Sequence, residues 1–156
     1  MAFKLSQRSF QKLVGVHPYL SSVVKDAIEL TKIDFGVIYG VRTVEEQEKL
    51  VAAGRSQTMK SKHLKQEDGF CHAVDLMAYV GSRASWELNL YDDIADAMAQ
   101  AAKTHNVPIK WGAAWSIGNI AQWNSGMEGA MNSYIDLRRS QGRRPFIDGP
   151  HFELIQ

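Results

Sequence analysis

Apolar positions recur at helical spacing early in the chain, where Leu20, Val23, Val24, Ala27, Ile28 and Leu30 mark one face of a helix over roughly 18 to 32. Pro18 suits its first turn, because the N–H that proline lacks has no helical acceptor there. A shorter helix is expected before it, from about Ser6. The period then changes. Phe35 to Tyr39 is short, partly β-branched or aromatic, and bounded by glycine, which predicts a strand. In RTVEEQEKLVAAG, Thr43 and Glu46 form a capping-box pattern and Gly54 is placed to end the helix.

Ala73 to Val80 is almost continuously apolar, as expected of a strand covered on both faces. Asp75 interrupts it. A carboxylate inside such a run is costly to bury unless it is paired, hydrogen-bonded or metal-bound. Ile94, Ala97, Met98, Ala101 and Ala102 return to helical spacing and predict a helix over 91 to 105, with Asp92 and Asp93 at its positive end and Asn106 and Pro108 beyond it. A short strand at Ile109 to Trp111, a glycine-rich aromatic loop, a helix over about 127 to 141 and a last strand, His151 to Ile155, complete the chain. The strands are too few and short for a doubly wound sheet. The fold class expected is α+β, with a small, mainly antiparallel sheet flanked by helices.

At 156 residues the chain is expected to form a single domain spanning 1–156. Eighteen basic and seventeen acidic residues leave a formal charge of +1, which points to neither a nucleic-acid nor an anionic-membrane partner. One cysteine, Cys71, excludes an intrachain disulfide framework. The N-terminus lacks the apolar block of a secretory signal, and no stretch approaches the roughly 20 apolar residues of a membrane span.

SKHLKQEDGFCHAVDL, residues 61 to 76, crowds potential metal ligands at the mouth of a strand. In DGPHFEL, residues 148 to 154, Gly149 and Pro150 are turn formers that fold Asp148 and His151 toward one spot. His63, Asp75 and His151 make a candidate zinc set of two imidazoles and one carboxylate, leaving a fourth position for water. Asp148 is the candidate to take a proton from that water and return it to a leaving amine. A satisfied buried acid at Asp75, a packed histidine at 151 and a simple turn aspartate at 148 are the structural alternatives.

SKH at 61 to 63, HAVDL at 72 to 76 and DGPHFEL near the C-terminus resemble the Ser-x-His, Ala-x-Asp and Asp-x-x-His elements of zinc peptidases of the D-alanyl-D-alanine carboxypeptidase superfamily. Together with YGVRTVEEQEKLVAAGRSQT at 39 to 58, they look most like its L-alanyl-D-glutamate endopeptidase branch, used as phage endolysins. The resemblance spans about residues 34 to 155 and implies zinc on His63, Asp75 and His151, Asp148 as general base and acid, and a core like that of hedgehog-type peptidases. It further implies substrate-binding roles for Arg42, Gln47, Ser56, Ser61 and Trp115, with Arg42 able to clamp a carboxylate. Gln47 reads equally as a solvated helix residue, and Trp111 and Trp115 as half core, half cleft wall.

The chain also departs from the family pattern. Members usually place the first histidine seven residues before the aspartate, with a glycine four before it. Here the separation is twelve, Cys71 stands in the glycine's place, and KQEDGF reads as a loop insertion. His72 is therefore a rival to His63, although its odd spacing from Asp75 would send the two side chains to opposite strand faces. Glu153 is either a rival base or a partner of His151, and Ala114 stands where relatives often have an acid. A thiol protease built on Cys71 and His72 lacks an orienting acid. His17 reads as a helix-start surface residue and His105 as a favourable charge at a helix end, while Arg138, Arg139, Arg143 and Arg144 read as a solvated helix end.

The function this implies is zinc-dependent cleavage of the peptidoglycan stem peptide at the L-alanyl-D-glutamate bond. A monomeric phage endolysin would be made in the host cytoplasm and admitted to the cell wall by a holin. The competing readings are a D,D-carboxypeptidase releasing terminal D-alanine and a non-hydrolytic wall-binding module.

Overall fold

Local chemistry starts the helices where the sequence pattern places them. In the computed structural model, which describes residues 2–56 and 58–155, Ser6 caps α1 (Gln7–Leu13) by accepting from the Ser9 amide. His17 caps α2 (Pro18–Leu30) through Nδ1, which accepts from Tyr19 N. The helix ends two residues before the expected 32 because Thr31 turns extended and its hydroxyl donates to Ile33 O. The full capping box at Thr43 and Glu46 opens α3 (Val44–Ala52), and Gly54 follows at φ +72°, a conformation that favours glycine. α4 runs Leu88–His105, three residues earlier than its periodicity suggests, and α5 runs Met127–Ser140.

Five strands form one antiparallel sheet: β1 (Asp34–Tyr39), β2 (Ala73–Val80), β3 (Arg83–Ser85), β4 (Ile109–Trp111) and β5 (His151–Leu154). The path is β1-β2-β5-β4, with β3 paired to the far end of β2. β3 and a 3-10 turn at Ile120–Gln122 were not expected from the sequence, since three residues are too few to show a period. The last strand is internal, held by β2 on one side and β4 on the other.

Strand alternation divides the sheet into two chemically different faces. Phe35, Val37, Val74, Leu76, Ala78, Ile109, Trp111, Phe152 and Leu154 join Leu20, Val24, Ile94 and Met98 in the hydrophobic core. Burying each large aliphatic or aromatic side chain there contributes roughly 1.5–3 kcal/mol. The other face carries Asp34, Gly36 and Tyr39 from β1, Asp75, Met77 and Tyr79 from β2, and His151 and Glu153 from β5. This corrects the expectation of a β2 covered on both sides: α1 overlaps only the β1 edge, and Asp75 and Tyr79 stay partly exposed. A register shift between Val37 and Tyr39, a bulge in β1, sets Tyr39 opposite Asp75.

The KQEDGF stretch forms a tight loop, with Gln66 N donating to Phe70 O and Gly69 at φ +86°. Asp68 anchors it to His72, 2.7 Å away, and faces His17 at 3.7 Å. Cys71 is buried beside this clasp and bridges Val16.

Candidate metal centre

Gly40 follows β1 and lies against α1 so closely that a Cβ there would stand 2.1 Å from the Lys12 carbonyl oxygen. Only glycine fits this approach, and it aims the Gly40 carbonyl at His63. Nδ1 of His63 donates to that oxygen at 2.9 Å, which fixes the tautomer with a lone pair on Nε2. That Nε2 is buried without a hydrogen-bond partner among the described residues, 3.3 Å from Asp75 Oδ1. His151 approaches the same oxygen from the other side, with Nδ1 at 3.2 Å, while its Nε2 lies 2.9 Å from Glu153 Oε1.

One ligand atom from each of His63, Asp75 and His151 falls within 4.8 Å of the others. An orphaned imidazole nitrogen is costly in an apolar interior, and a cation at the centre of the trio would satisfy it. Two borderline nitrogens and a carboxylate oxygen fit zinc. Each imidazole is oriented from behind, by Gly40 O for His63 and by Glu153 for His151, the arrangement that sharpens metal ligands.

The loop before β5 is pinned by backbone contacts. Gly112 N donates to His151 O, Asp148 N donates to Gly112 O, and the Trp111 indole donates to Gly149 O at 2.7 Å. A Cβ on Gly112 would stand 2.3 Å from Asp148 O, so this approach also requires glycine.

Electrostatics follow from burial and pairing. Burial would raise Asp75, yet the imidazoles of His151 and His63, at 3.2 and 3.3 Å, hold it far below the ordinary carboxylate range. Burial would lower His151, but Asp75 and Glu153 raise it to about 10 in the metal-free protein. Burial raises Asp148, and the charge of Asp75 raises it further. Asp148 is thus the carboxyl of this site most ready to hold a proton.

Above the trio opens a cleft of about 650 Å³ lined by Arg42, Ser56, Ser61, Trp115, Phe146 and Asp148 together with His63, His151 and Glu153. Arg42 Nη2 lies 3.9 Å from Asp75 Oδ2, and its Nη1 donates to Gln47 Oε1 at 2.8 Å. Trp115 stands with its ring centroid 5.6 Å from that of His151 and 6.3 Å from that of Phe146, forming a wall. Trp111 is wholly core.

Gln47 is not a solvated helix residue. It is fully buried, outside the cleft lining, and holds Arg42, Ser56 Oγ and Thr58 O. Its amide thus braces Arg42 and Ser56, both of which line the cleft. His72 lies with Asp68 and His17, apart from the trio, so the inserted loop separates the two histidines. Ala114 is fully buried and offers no side-chain acceptor. His105, at the end of α4, pairs with Asp26 of α2. Gly40 went unnoticed in the sequence; a glycine closing a strand just before Arg42 was the available signal.

Fold and donor set together fit one class, hydrolases of α+β architecture with a candidate metal centre. The chain belongs to the phage L-alanyl-D-glutamate peptidase family, whose model matches residues 1–155, including the N-terminal helices that lie before the recognised motifs. It is 29% identical over 159 residues to the L-alanyl-D-glutamate peptidase of Escherichia phage T5, covering 99% of this chain and 100% of that one. The structure is similar to the crystal structure of the Serratia marcescens L-Ala D-Glu endopeptidase ChiX, with a TM-score of 0.70 and 30% identity over 99% of this chain and 91% of the other.

Proposed function

We propose that the protein is a zinc endopeptidase that cuts the peptidoglycan stem peptide between L-alanine and D-glutamate, as a phage endolysin. The observation that carries this reading is the buried, unpartnered Nε2 of His63, facing Asp75 and His151 at the floor of an open cleft. Family membership supports the choice of bond.

His63 Nε2, a carboxylate oxygen of Asp75 and His151 Nδ1 would hold the ion. Zinc supplies Lewis-acid polarisation of a peptide carbonyl and lowers the pKa of water to about 7. Asp148, raised by burial, accepts the proton of the attacking water and returns it to the departing amine of D-glutamate. A glutamyl residue has two carboxyl groups, so one remains free when the other carries the chain onward. Arg42, steadied by Gln47, is placed to bind that carboxylate, and Ser56, Ser61 and Trp115 line the remaining cleft.

We assign one catalytic domain over 1–156 and a monomer. Synthesis in the host cytoplasm followed by holin-mediated access to the wall completes the reading. No helix among the described residues is long and apolar enough to cross a membrane.

Digestion of purified sacculi with zinc present should expose new glutamate amino termini. Asp148→Ala should keep zinc and fold while losing turnover by roughly 10²–10⁴-fold. Release of D-alanine alone would establish the carboxypeptidase instead. Zinc binding with no new termini would leave a wall-binding module, and undiminished lysis by Asp148→Ala would remove Asp148 from its role.

A further inference from the structure

The sheet face that carries Asp75 continues past the catalytic cleft. Asp75, Met77 and Tyr79 share that face on β2, and Asp34, Gly36 and Tyr39 share it on β1. Beyond Asp75 these residues floor a second groove of about 610 Å³. One bank is the N-terminal segment and α1, with Lys4, Arg8 and Lys12, and the other is Trp86, just after β3.

The groove has three features of a binding surface. First, Gly36 lets an aromatic ring lie flat on the groove floor. A Cβ there would stand 3.3 Å from Tyr79 Cε2 and 3.1 Å from Ser9 Oγ, so the tyrosine lies against bare backbone. Second, Trp86 is 62% exposed yet braced. Its ring stacks on Tyr91, with centroids 6.3 Å apart and planes 10° apart, and the Tyr91 hydroxyl donates to Ser85 O. Third, its lining holds three cations, Lys4, Arg8 and Lys12, against one acid, Asp34.

The groove and the cleft are joined. Tyr39 lines the groove and pairs with Asp75 across the strands, and the Arg42 guanidinium lies 5.7 Å from the centre of its ring. Arg42 in turn lines the catalytic cleft. A strand rise of about 3.3 Å per residue puts Tyr79 roughly 13 Å along β2 from Asp75. One extended polymer can therefore occupy both.

We infer that this groove is a subsite for the glycan part of the wall polymer, outside the scissile peptide. The inference rests on the function proposed above and deepens it. An aminosugar ring has a flat C–H face that packs on the electron-rich faces of Trp86 and Tyr79. Carboxylates of neighbouring stem peptides on the same strand meet Lys4, Arg8 and Lys12. These cations are exposed, so their share of binding weakens as salt rises.

The test compares two soluble substrates, the free stem peptide and the same peptide still joined to its disaccharide, by kcat/KM with the zinc-loaded full chain. The wild type should favour the glycopeptide. Trp86→Ala should lower kcat/KM on the glycopeptide about tenfold, mainly through KM, and bring the two substrates level. Arg8→Glu, on the exposed side of α1, probes the groove without touching the core and should reduce binding to intact sacculi, most strongly at low salt. Thermal melts check that both variants fold. A preference that survives both substitutions, or equal losses on the two substrates, would overturn the subsite while leaving the peptidase reading intact. A wild type that cuts neither substrate removes the peptidase reading and the subsite with it.

Discussion

His63 and His151 present different ring nitrogens to one oxygen of Asp75, Nε2 from the first and Nδ1 from the second. The difference arises behind the rings. A backbone carbonyl holds His63 by Nδ1, whereas a side-chain carboxylate two residues along β5 holds His151 by Nε2. The two supports therefore fail differently. Glu153→Gln keeps an acceptor but loses the charge, and should weaken zinc about 10–100-fold with little loss of fold. Competition with a chelator of known affinity measures it, and unchanged affinity would show that Glu153 does not orient the ligand.

Gly40→Ala acts on the other support through the backbone. Its Cβ would collide with Lys12 O, so β1 and α1 must part and the carbonyl that holds His63 must move. Overpacking of this kind costs about 1–3 kcal/mol, and each kcal/mol lowers Tm by about 2–4 °C in a chain of this size. Zinc affinity should fall together with Tm, which melts with and without zinc would reveal.

At the proposed metal centre a cation would compete with a proton for His151. The metal-free imidazole, raised to about 10, is charged at neutral pH and must release a proton from Nδ1 to coordinate. Apparent zinc affinity should therefore rise about tenfold per pH unit through neutrality. Calorimetry in buffers of different ionisation enthalpy should count at least one proton released per zinc, and none would contradict the pairing with Asp75.

Replacing the rival histidines separates their roles. His63→Ala should lose zinc. His72→Ala should retain full zinc stoichiometry and turnover, while melting lower because the bond to Asp68 that clasps the loop is gone. Zinc content by elemental analysis decides between them, and a zinc-free His72→Ala would reverse the assignment.

Asp92 gives a pH signature unrelated to catalysis. Burial and the charges of Asp93, Glu128 and Asp96 push it up to about 6, above its ordinary value. Between the ordinary value and about 6 the folded state holds a proton that the unfolded state has released, so stability falls as pH rises through this window. Asp92→Asn should raise Tm by a few degrees at pH 7 and leave it unchanged near pH 3. An equal gain at both pH values would deny the shift.

The sequence revealed most where the signal was local or chemical. Ser6 and the Thr43–Glu46 box begin helices by bonds to their own first turns, and Pro18 suits a first turn because its missing N–H needs no acceptor there, so residue types at short spacing suffice to find them. The β2 run exposed Asp75 as an anomaly, and the structure brings His63 and His151 to it. Features that depend on partners distant in the chain were hidden. Gln47 looked solvated because its helix is otherwise polar, yet a loop closes over it. α4 begins at Leu88 without a side-chain cap, so its start carried no cue. The inserted loop showed its length but not its clasp, since Asp68 and His17 lie 51 positions apart and meet only through folding.

The interior position of β5 also orders events during biosynthesis. Among the described residues β4 pairs with no strand other than β5, and β5 brings His151 as it slots beside β2. A nascent chain paused before residue 151 thus has an open seam in its sheet and only two of the three groups of the candidate metal centre. Completion of the His63, Asp75 and His151 group and closure of the seam are therefore one event, both brought about by β5.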